Sequence, residues 1–275
     1  MHTGSVLAAV GSYLDARHHG GRWLVRIEDL DTPRVVAGSA AAILRTLETL
    51  NLFWDGDVWY QCTRLPRYQA ALALLRERGL TFECSCSRRT VTAQGDSGYP
   101  GTCRPGPQRP GPTATRLRIR SGSLEFEDRI QGPYRLDLER AGDVVIRRRD
   151  GRFAYQLAVV VDDADQGITD VVRGADLLES TPWQIELQRA LGLGSPRYAH
   201  LPLVTAPDGA KLAKSRCSLP PDLSDPGQIL LQALVLLRQR PPAQLTGHPP
   251  AEVLKWAVSN WKPANLHHIT AVPAS

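Results

Sequence analysis

Apolar residues recur at three-and-four spacing between Ser5 and Arg17, at Val6, Ala9, Val10, Tyr13 and Leu14. This period predicts an amphipathic helix that starts almost at the first residue, entered through Thr3-Gly4-Ser5. Arg22-Trp23-Leu24-Val25-Arg26-Ile27 reads as a buried strand ending in the acidic cluster Glu28-Asp29-Leu30-Asp31, and Thr32-Pro33 opens a predicted helix running through Leu44, Leu47 and Leu50. A further helix covers about Leu65 to Arg78. Helix, strand, helix is the rhythm of an α/β sheet. The rhythm breaks from about Thr81 to Asp150, where cysteines, a Gly/Pro-rich run (Gly95 to Pro112) and alternating segments such as Ala114 to Arg120 predict an inserted module of loops and small strands. It returns with the apolar run Phe153 to Asp163, read as a strand that begins near Tyr155, then a strand at Thr169 to Arg173 and a helix from Thr181 to Leu191. Leu201-Pro202-Leu203-Val204 leads into a loop, Pro207 to Ser215. Beyond Pro220 the pattern is helical again, at Pro226 to Arg238 and Pro250 to Trp261.

Composition narrows the class. With 275 residues, 42% of them hydrophobic and 22% charged, the chain is globular, which excludes disordered, collagen-like and disulfide-scaffold classes. No window approaches the roughly 18 to 20 apolar residues of a membrane helix, and the start lacks the pattern of a signal peptide, so a cytoplasmic location is expected. The formal charge of +5 is compatible with an anionic partner such as RNA or a nucleotide, but is too small to establish one. Only Lys211, Lys214, Lys255 and Lys262 are lysines, so a pair three residues apart stands out.

Several groupings carry candidate chemistry. A helix N-terminus offers unpaired amides and partial positive charge, so His2-x-Gly4-Ser5 could bind a triphosphate, although an ordinary cap preceded by an exposed histidine explains the same residues. Lys211 and Lys214, on a Gly-containing loop after a strand, could close over phosphates and offset charge that grows on them during transfer. Cys84-x-Cys86, followed after twelve residues by Tyr99-x-x-x-Cys103, places three thiols and a phenol where a loop could fold them around zinc. The fourth ligand stays open, with His200, His267 and His268 as alternatives to Tyr99 by type. Glu28 and Arg173 follow or end predicted strands, at the edge where open parallel sheets bind ligands, and Tyr155 begins a third. An ammonium group seeks a carboxylate and a phenol, and a carboxylate seeks a guanidinium, so the three could hold an amino acid if they converge.

These stretches resemble the class I aminoacyl-tRNA synthetases. His2-Thr3-Gly4-Ser5 is similar to that family's HIGH signature and Lys211-Leu212-Ala213-Lys214-Ser215 to its KMSKS signature. Arg26 to Arg34 and Val161 to Gly174 resemble the glutamyl branch. Within that branch, the short chain, the Cys-x-Cys…Tyr-x-x-x-Cys pattern and Asn260-Trp261 resemble members that act on queuosine in tRNA(Asp). The resemblance covers essentially the whole chain.

It implies an α/β fold: a Rossmann-type class I synthetase catalytic domain with an inserted zinc-binding α+β module and a short helical C-terminal tail. Residues 1–80 would form the first half of the catalytic domain, 81–150 the zinc-bearing module, 151–222 the second half with the KMSKS-like loop, and 223–275 a helical remnant without an anticodon-binding domain. The implied activity is ATP-dependent, tRNA-independent formation of glutamyl-adenylate, with Mg2+, and transfer of glutamate to queuosine of tRNA(Asp). Glu28, Tyr155 and Arg173 would bind glutamate. His2, Gly4 and Lys214 would bind ATP, with Lys214, Lys211 and His2 as the catalytic groups. Cys84, Cys86, Tyr99 and Cys103 would hold one structural zinc ion. A monomer is expected.

Two departures accompany the resemblance. The family carries a strand and loop, roughly Arg-Phe-Ala-Pro-Ser-Pro-Thr-Gly, ahead of the HIGH-like residues, so the first strand of the sheet is expected to be absent from this chain. Ala213 stands where serine is common, a change expected to be tolerated. Alternative readings are a truncated glutamyl-tRNA synthetase charging a terminal adenosine, and an inactive zinc-stabilised RNA-binding paralogue.

Overall fold

The computed structural model describes residues 1–31, 35–92, 98–120, 122–206 and 222–274. Helix α1 (Thr3–His18) follows the predicted period, with Val6, Leu7, Val10 and Leu14 buried. Gly11 allows a close approach to the sheet, since a Cβ there would lie 2.6 Å from a Leu201 methyl. One carboxylate anchors the far end of the helix: Asp15 accepts both terminal nitrogens of Arg129, at 2.7 and 3.0 Å, and the Trp261 indole N–H at 3.1 Å. The start, middle and end of the chain meet at this residue.

The strand expected over residues 22–27 is shorter in the structure. Only β1 (Arg26–Ile27) pairs, in parallel with β2 (Trp59–Tyr60), because Asp55 intercepts Trp23: its carboxylate accepts the Trp23 amide at 2.8 Å and its own amide bonds the Trp23 carbonyl at 2.8 Å. The next helix, α2 (Ser39–Thr49), starts later than its apolar pattern suggests, after Gly38 at φ 78°. The Thr32-Pro33 start lies outside the described residues. Helix α3 (Leu65–Glu77) agrees with its expected span.

The apolar run expected as a strand from Phe153 to Asp163 is a helix, α6 (Tyr155–Asp165), which follows the short helices α4 (Arg88–Thr92) and α5 (Leu138–Ala141) along the chain. A continuous apolar run suits any element buried on all sides, so period does not distinguish the two forms. Here Leu157 through Asp163 are buried without interruption, enclosed by α3, by helix α7 (Thr181–Leu191) and by strand β7 (Val145–Arg147).

The stretch from Thr81 to Asp150 divides between two sheets. β3 (Thr81–Cys84), β4 (Ala114–Leu117) and β7 form a small antiparallel sheet, with the short helix α4 (Arg88–Thr92) beyond β3. The hairpin β5 (Ser123–Asp128) and β6 (Gly132–Asp137), followed by α5 (Leu138–Ala141), instead extends a four-stranded sheet of order β6-β5-β9-β8. In that sheet β8 (Asp170–Gly174) and β9 (Arg197–Leu201) run parallel with Arg173 opposite His200, and Asp128 of β5 sits opposite Tyr198. β10 (Leu203–Thr205) pairs in parallel with β11 (Ala271–Pro273). Helices α8 (Pro226–Leu236) and α9 (Pro250–Asn260) pack on α1. β1 and β8 lie in separate sheets, on two sides of a cleft of about 500 Å³ lined by Ser12, Asp15, Trp23, Arg26, Glu28 and Val172 among others. The mixed α/β architecture expected from the sequence is present, with helices flanking parallel strands.

Candidate active site and cysteine cluster

Glu28 follows β1, Arg173 lies near the end of β8, and Tyr155 opens α6. Glu28 and Arg173 stand at the C-terminal ends of parallel strands, and Tyr155, at the start of α6, is brought beside Arg173. Arg173 Nη1 lies 3.4 Å from the Tyr155 hydroxyl. Glu28 is within reach of the Arg173 charge, and its own neighbour Arg26 approaches it to 3.5 Å. Burial raises the Glu28 carboxyl above its usual range, with Arg26 opposing the shift. Asp163 is raised too, first by burial, although Arg26 Nη2 stands 2.8 Å from it. Tyr155 is pushed up to about 12 by burial, so its phenol keeps its proton at neutral pH. Two carboxylates, a neutral phenol and a guanidinium therefore stand close enough to feel one another's charge, a set suited to a zwitterionic amino acid.

Beneath this set, Asp162 is fully enclosed and accepts from Arg64 Nε at 2.6 Å, the Tyr68 hydroxyl at 2.7 Å and Gln61 Nε2 at 2.9 Å. These bonds anchor α6 from within and with it the place of Tyr155 and Asp163. Arg173 is held as firmly. Its Nε donates to His200 Nε2 at 3.1 Å, and its Nη2 donates to Thr181 Oγ1 at 2.9 Å and Gln184 Oε1 at 2.8 Å. Sequence reasoning missed His200, Asp128, Thr181 and Gln184 as part of this site. Thr181 and Gln184 share one face of a predicted helix, which was the one available signal.

At the start of α1, His2 is exposed and acts as the cap, its Nδ1 accepting the Ser5 amide at 3.3 Å. The ordinary-cap reading therefore describes the chain, and the cap occupies the Ser5 amide, which a phosphate would have to take over from His2. Lys211 and Lys214 lie outside the described residues. Thr3, Asp222 and Ser224 line a common cavity of about 440 Å³, so residue 222 lies beside the first turn of α1.

The cysteines cluster as expected. The sulfurs of Cys84, Cys86 and Cys103 all lie within 4.8 Å of one another, and Cys86 and Cys103 are 3.6 Å apart. Four ligands around tetrahedral zinc at about 2.3 Å leave sulfurs about 3.8 Å apart, so the set is compatible with a zinc site. The Tyr99 hydroxyl accepts the Cys103 amide at 2.8 Å and lies 3.4 Å from Cys84 Sγ. Burial opposes ionisation of Cys103, but the Ser85 and Gln108 amides and the Tyr99 hydroxyl outweigh it and bring the thiol down to about 6. The alternative histidine ligands are elsewhere: His200 is engaged with Asp128 at 2.6 Å, and His268 bonds the Gln131 carbonyl at 3.0 Å.

Comparison with known proteins follows the same lines. The family model for class I tRNA synthetases (E and Q), catalytic domain, matches residues 1–238. The chain is 53% identical over 263 residues to a glutamyl-Q tRNA(Asp) synthetase of Ectopseudomonas mendocina (strain ymp), spanning 95% of this chain and 89% of the relative. It is 50% identical over 275 residues to one of Pseudomonas aeruginosa, spanning 99% and 93%. A third, of Geobacter sulfurreducens, is 52% identical over 281 residues, spanning 97% and 90%. The fold is similar to the crystal structure of a glutamate-tRNA synthetase from Elizabethkingia anophelis, at TM-score 0.80 and 22% identity, covering all (100%) of this chain and 66% of that one. A glutamate tRNA ligase from Elizabethkingia meningosepticum, solved in complex with its amino acid, gives TM-score 0.80 at 23% identity with 64% of that chain covered. The chain therefore spans just under two thirds of those two structures.

Proposed function

The chain belongs to the class I tRNA synthetases (E and Q), and within them to the glutamyl-Q tRNA(Asp) synthetases, and on that premise we propose that it activates glutamate with ATP, without needing tRNA, and passes it to the queuosine of tRNA(Asp). It is a ligase. The observation that carries the substrate reading is the convergence of Glu28, Tyr155 and Arg173 on one space, with the Arg173 guanidinium oriented from behind.

In this reading Glu28 and Tyr155 hold the ammonium group of glutamate and Arg173 binds a carboxylate. The reacting carboxylate attacks the α-phosphorus of ATP, a C–O–P bond forms, and pyrophosphate leaves as its bridging P–O bond breaks. Glutamate arrives with its nucleophile already ionised, so positioning and charge stabilisation supply the rate. His2, Gly4 and the amides at the start of α1 receive phosphates, Lys214 offsets the charge growing on the departing pyrophosphate, Lys211 supports it, and Mg2+ accompanies ATP. A hydroxyl of the queuosine cyclopentenediol then attacks the adenylate carbonyl, and AMP leaves. Cys84, Cys86, Cys103 and Tyr99 would hold zinc as a structural ion. The enzyme works as a cytoplasmic monomer, and among the described residues no helix is long and apolar enough to cross a membrane.

Glutamate-dependent ATP–pyrophosphate exchange in the absence of tRNA tests the first half-reaction. Exchange is expected with the wild-type chain, and Lys214→Ala should reduce it on the order of 100-fold or more, as for loss of a transition-state charge partner. Exchange that appears only when tRNA is added would overturn tRNA-independent activation, and an undiminished K214A rate would refute the role of Lys214.

A further inference from the structure

Arg173 can present an edge to a substrate only if the rest of its guanidinium is fixed, and the structure shows what fixes it. Asp128 Oδ1 accepts the backbone amides of Gln131 at 2.8 Å, Ile130 at 3.0 Å and His200 at 3.1 Å, while Oδ2 faces His200 Nδ1 at 2.6 Å. A carboxylate accepting four donors stays ionised, so the proton of His200 sits on Nδ1 and a lone pair sits on Nε2. That lone pair receives the Nε–H of Arg173 at 3.1 Å. The Nη2 hydrogens are taken by Thr181 and Gln184, and the Tyr198 ring lies parallel to His200 (12°) and 5.5 Å below the guanidinium. Among the described residues, Nη1 bonds only Tyr155, on the side of the site.

We propose that His200, oriented by Asp128, is a positioning residue that sets the plane of the Arg173 guanidinium so that its Nη1 edge meets the glutamate carboxylate. This rests on the assignment of Arg173 made above. Both side chains of the Asp128–His200 pair are fully buried (0% exposed each), and burial holds the imidazole toward its neutral form, the only form that can accept from a guanidinium. An arginine whose Nε lacks an acceptor samples several planes, and substrate must then bear the cost of orienting it.

The test uses conservative variants of the full chain and two readouts, glutamate binding by calorimetry and the ¹⁵N signal of the Arg173 Nε–H. His200→Asn keeps a donor for Asp128 near the Nδ1 position but removes the acceptor for Arg173. His200→Gln places a carbonyl oxygen near the Nε2 position. H200N should weaken glutamate binding about tenfold, the scale of one charge-assisted hydrogen bond, leave ATP binding unmoved and expose the Nε–H to exchange. H200Q should stay within about threefold of wild type and keep the Nε–H protected. Asp128→Asn, which forces the proton onto Nε2, gives the same loss and serves if H200N does not fold. Wild-type glutamate affinity in H200N, with weakened binding in Arg173→Lys, would overturn the positioning role while leaving the assignment of Arg173 intact. Unchanged binding in R173K would instead refute that assignment, and the Nε–H signal would still decide whether His200 fixes the guanidinium.

Discussion

At the scale of single residues, chemistry was legible wherever residue type and strand position coincided. Glu28 and Arg173 end strands and offer the charges an amino acid needs, and the fold brings them to one space with Tyr155. His200 was not legible: by type it was only a candidate zinc ligand, and its partners Asp128 and Arg173 come from the register of β5, β8 and β9, which no spacing along the chain encodes. Its burial has a consequence for stability. The folded state holds the His200 pKa below the ordinary 6.5, so an unfolded chain takes up a proton that the folded chain refuses as pH falls below that value. The His200 contribution to stability should therefore shrink from pH 7 to pH 5, so the wild-type chain should lose more stability over that range than H200Q does. Asp128, lowered below its ordinary 3.8 despite burial by its bond to His200, loses its contribution only at more acidic pH and does not confuse this window. Urea melts of both chains at the two pH values check this; equal losses would mean that His200 titrates alike in both states.

At the scale of elements, half-buried helices were readable and a fully enclosed one was not. Helices α1, α3 and α7 each show an apolar stripe and match their expected spans. Helix α6 carries the unbroken apolar run Leu157 to Val161, so its sequence resembles a central strand, and only its packing among α3, α7 and β7 decides the matter. The cysteine cluster was readable because its ligands lie close in sequence. In the structure it closes the end of the β3–β4–β7 sheet, where Phe82 stacks on Tyr99 at 6.1 Å and Arg116 lies 3.8 Å over the same ring. A zinc ion there would link the loop carrying Cys103 to β3. Metal analysis of the purified chain should give about one zinc per chain, and Cys103→Ser should lose it and destabilise the module by at least about 2 kcal/mol, seen as faster amide exchange over residues 81–120. A zinc-free wild-type protein with a protected module would rule the site out.

At the scale of the whole molecule, the +5 charge takes on a more specific meaning. Many arginines are engaged within the fold: Arg104 with Asp143, Arg148 and Arg152 with Asp31, Arg129 with Asp15, and Arg64 with Asp162. These pairs use up carboxylates as well as guanidinium groups, so the net +5 stays on the other cations; an excess that small leaves specificity for an RNA to shape and exposed bases as well as phosphates. Two of the four lysines stand three residues apart in sequence, at Lys211 and Lys214. The short helical C-terminal part packs on α1 through α8 and α9 and adds β11 to β10, so it belongs to the catalytic body. The direct measurement is transfer of labelled glutamate to tRNA(Asp) with and without queuosine. Label should appear on the queuosine-containing tRNA and be absent from its queuosine-lacking counterpart; equal labelling of the two would contradict transfer to the modified base and point to the terminal adenosine.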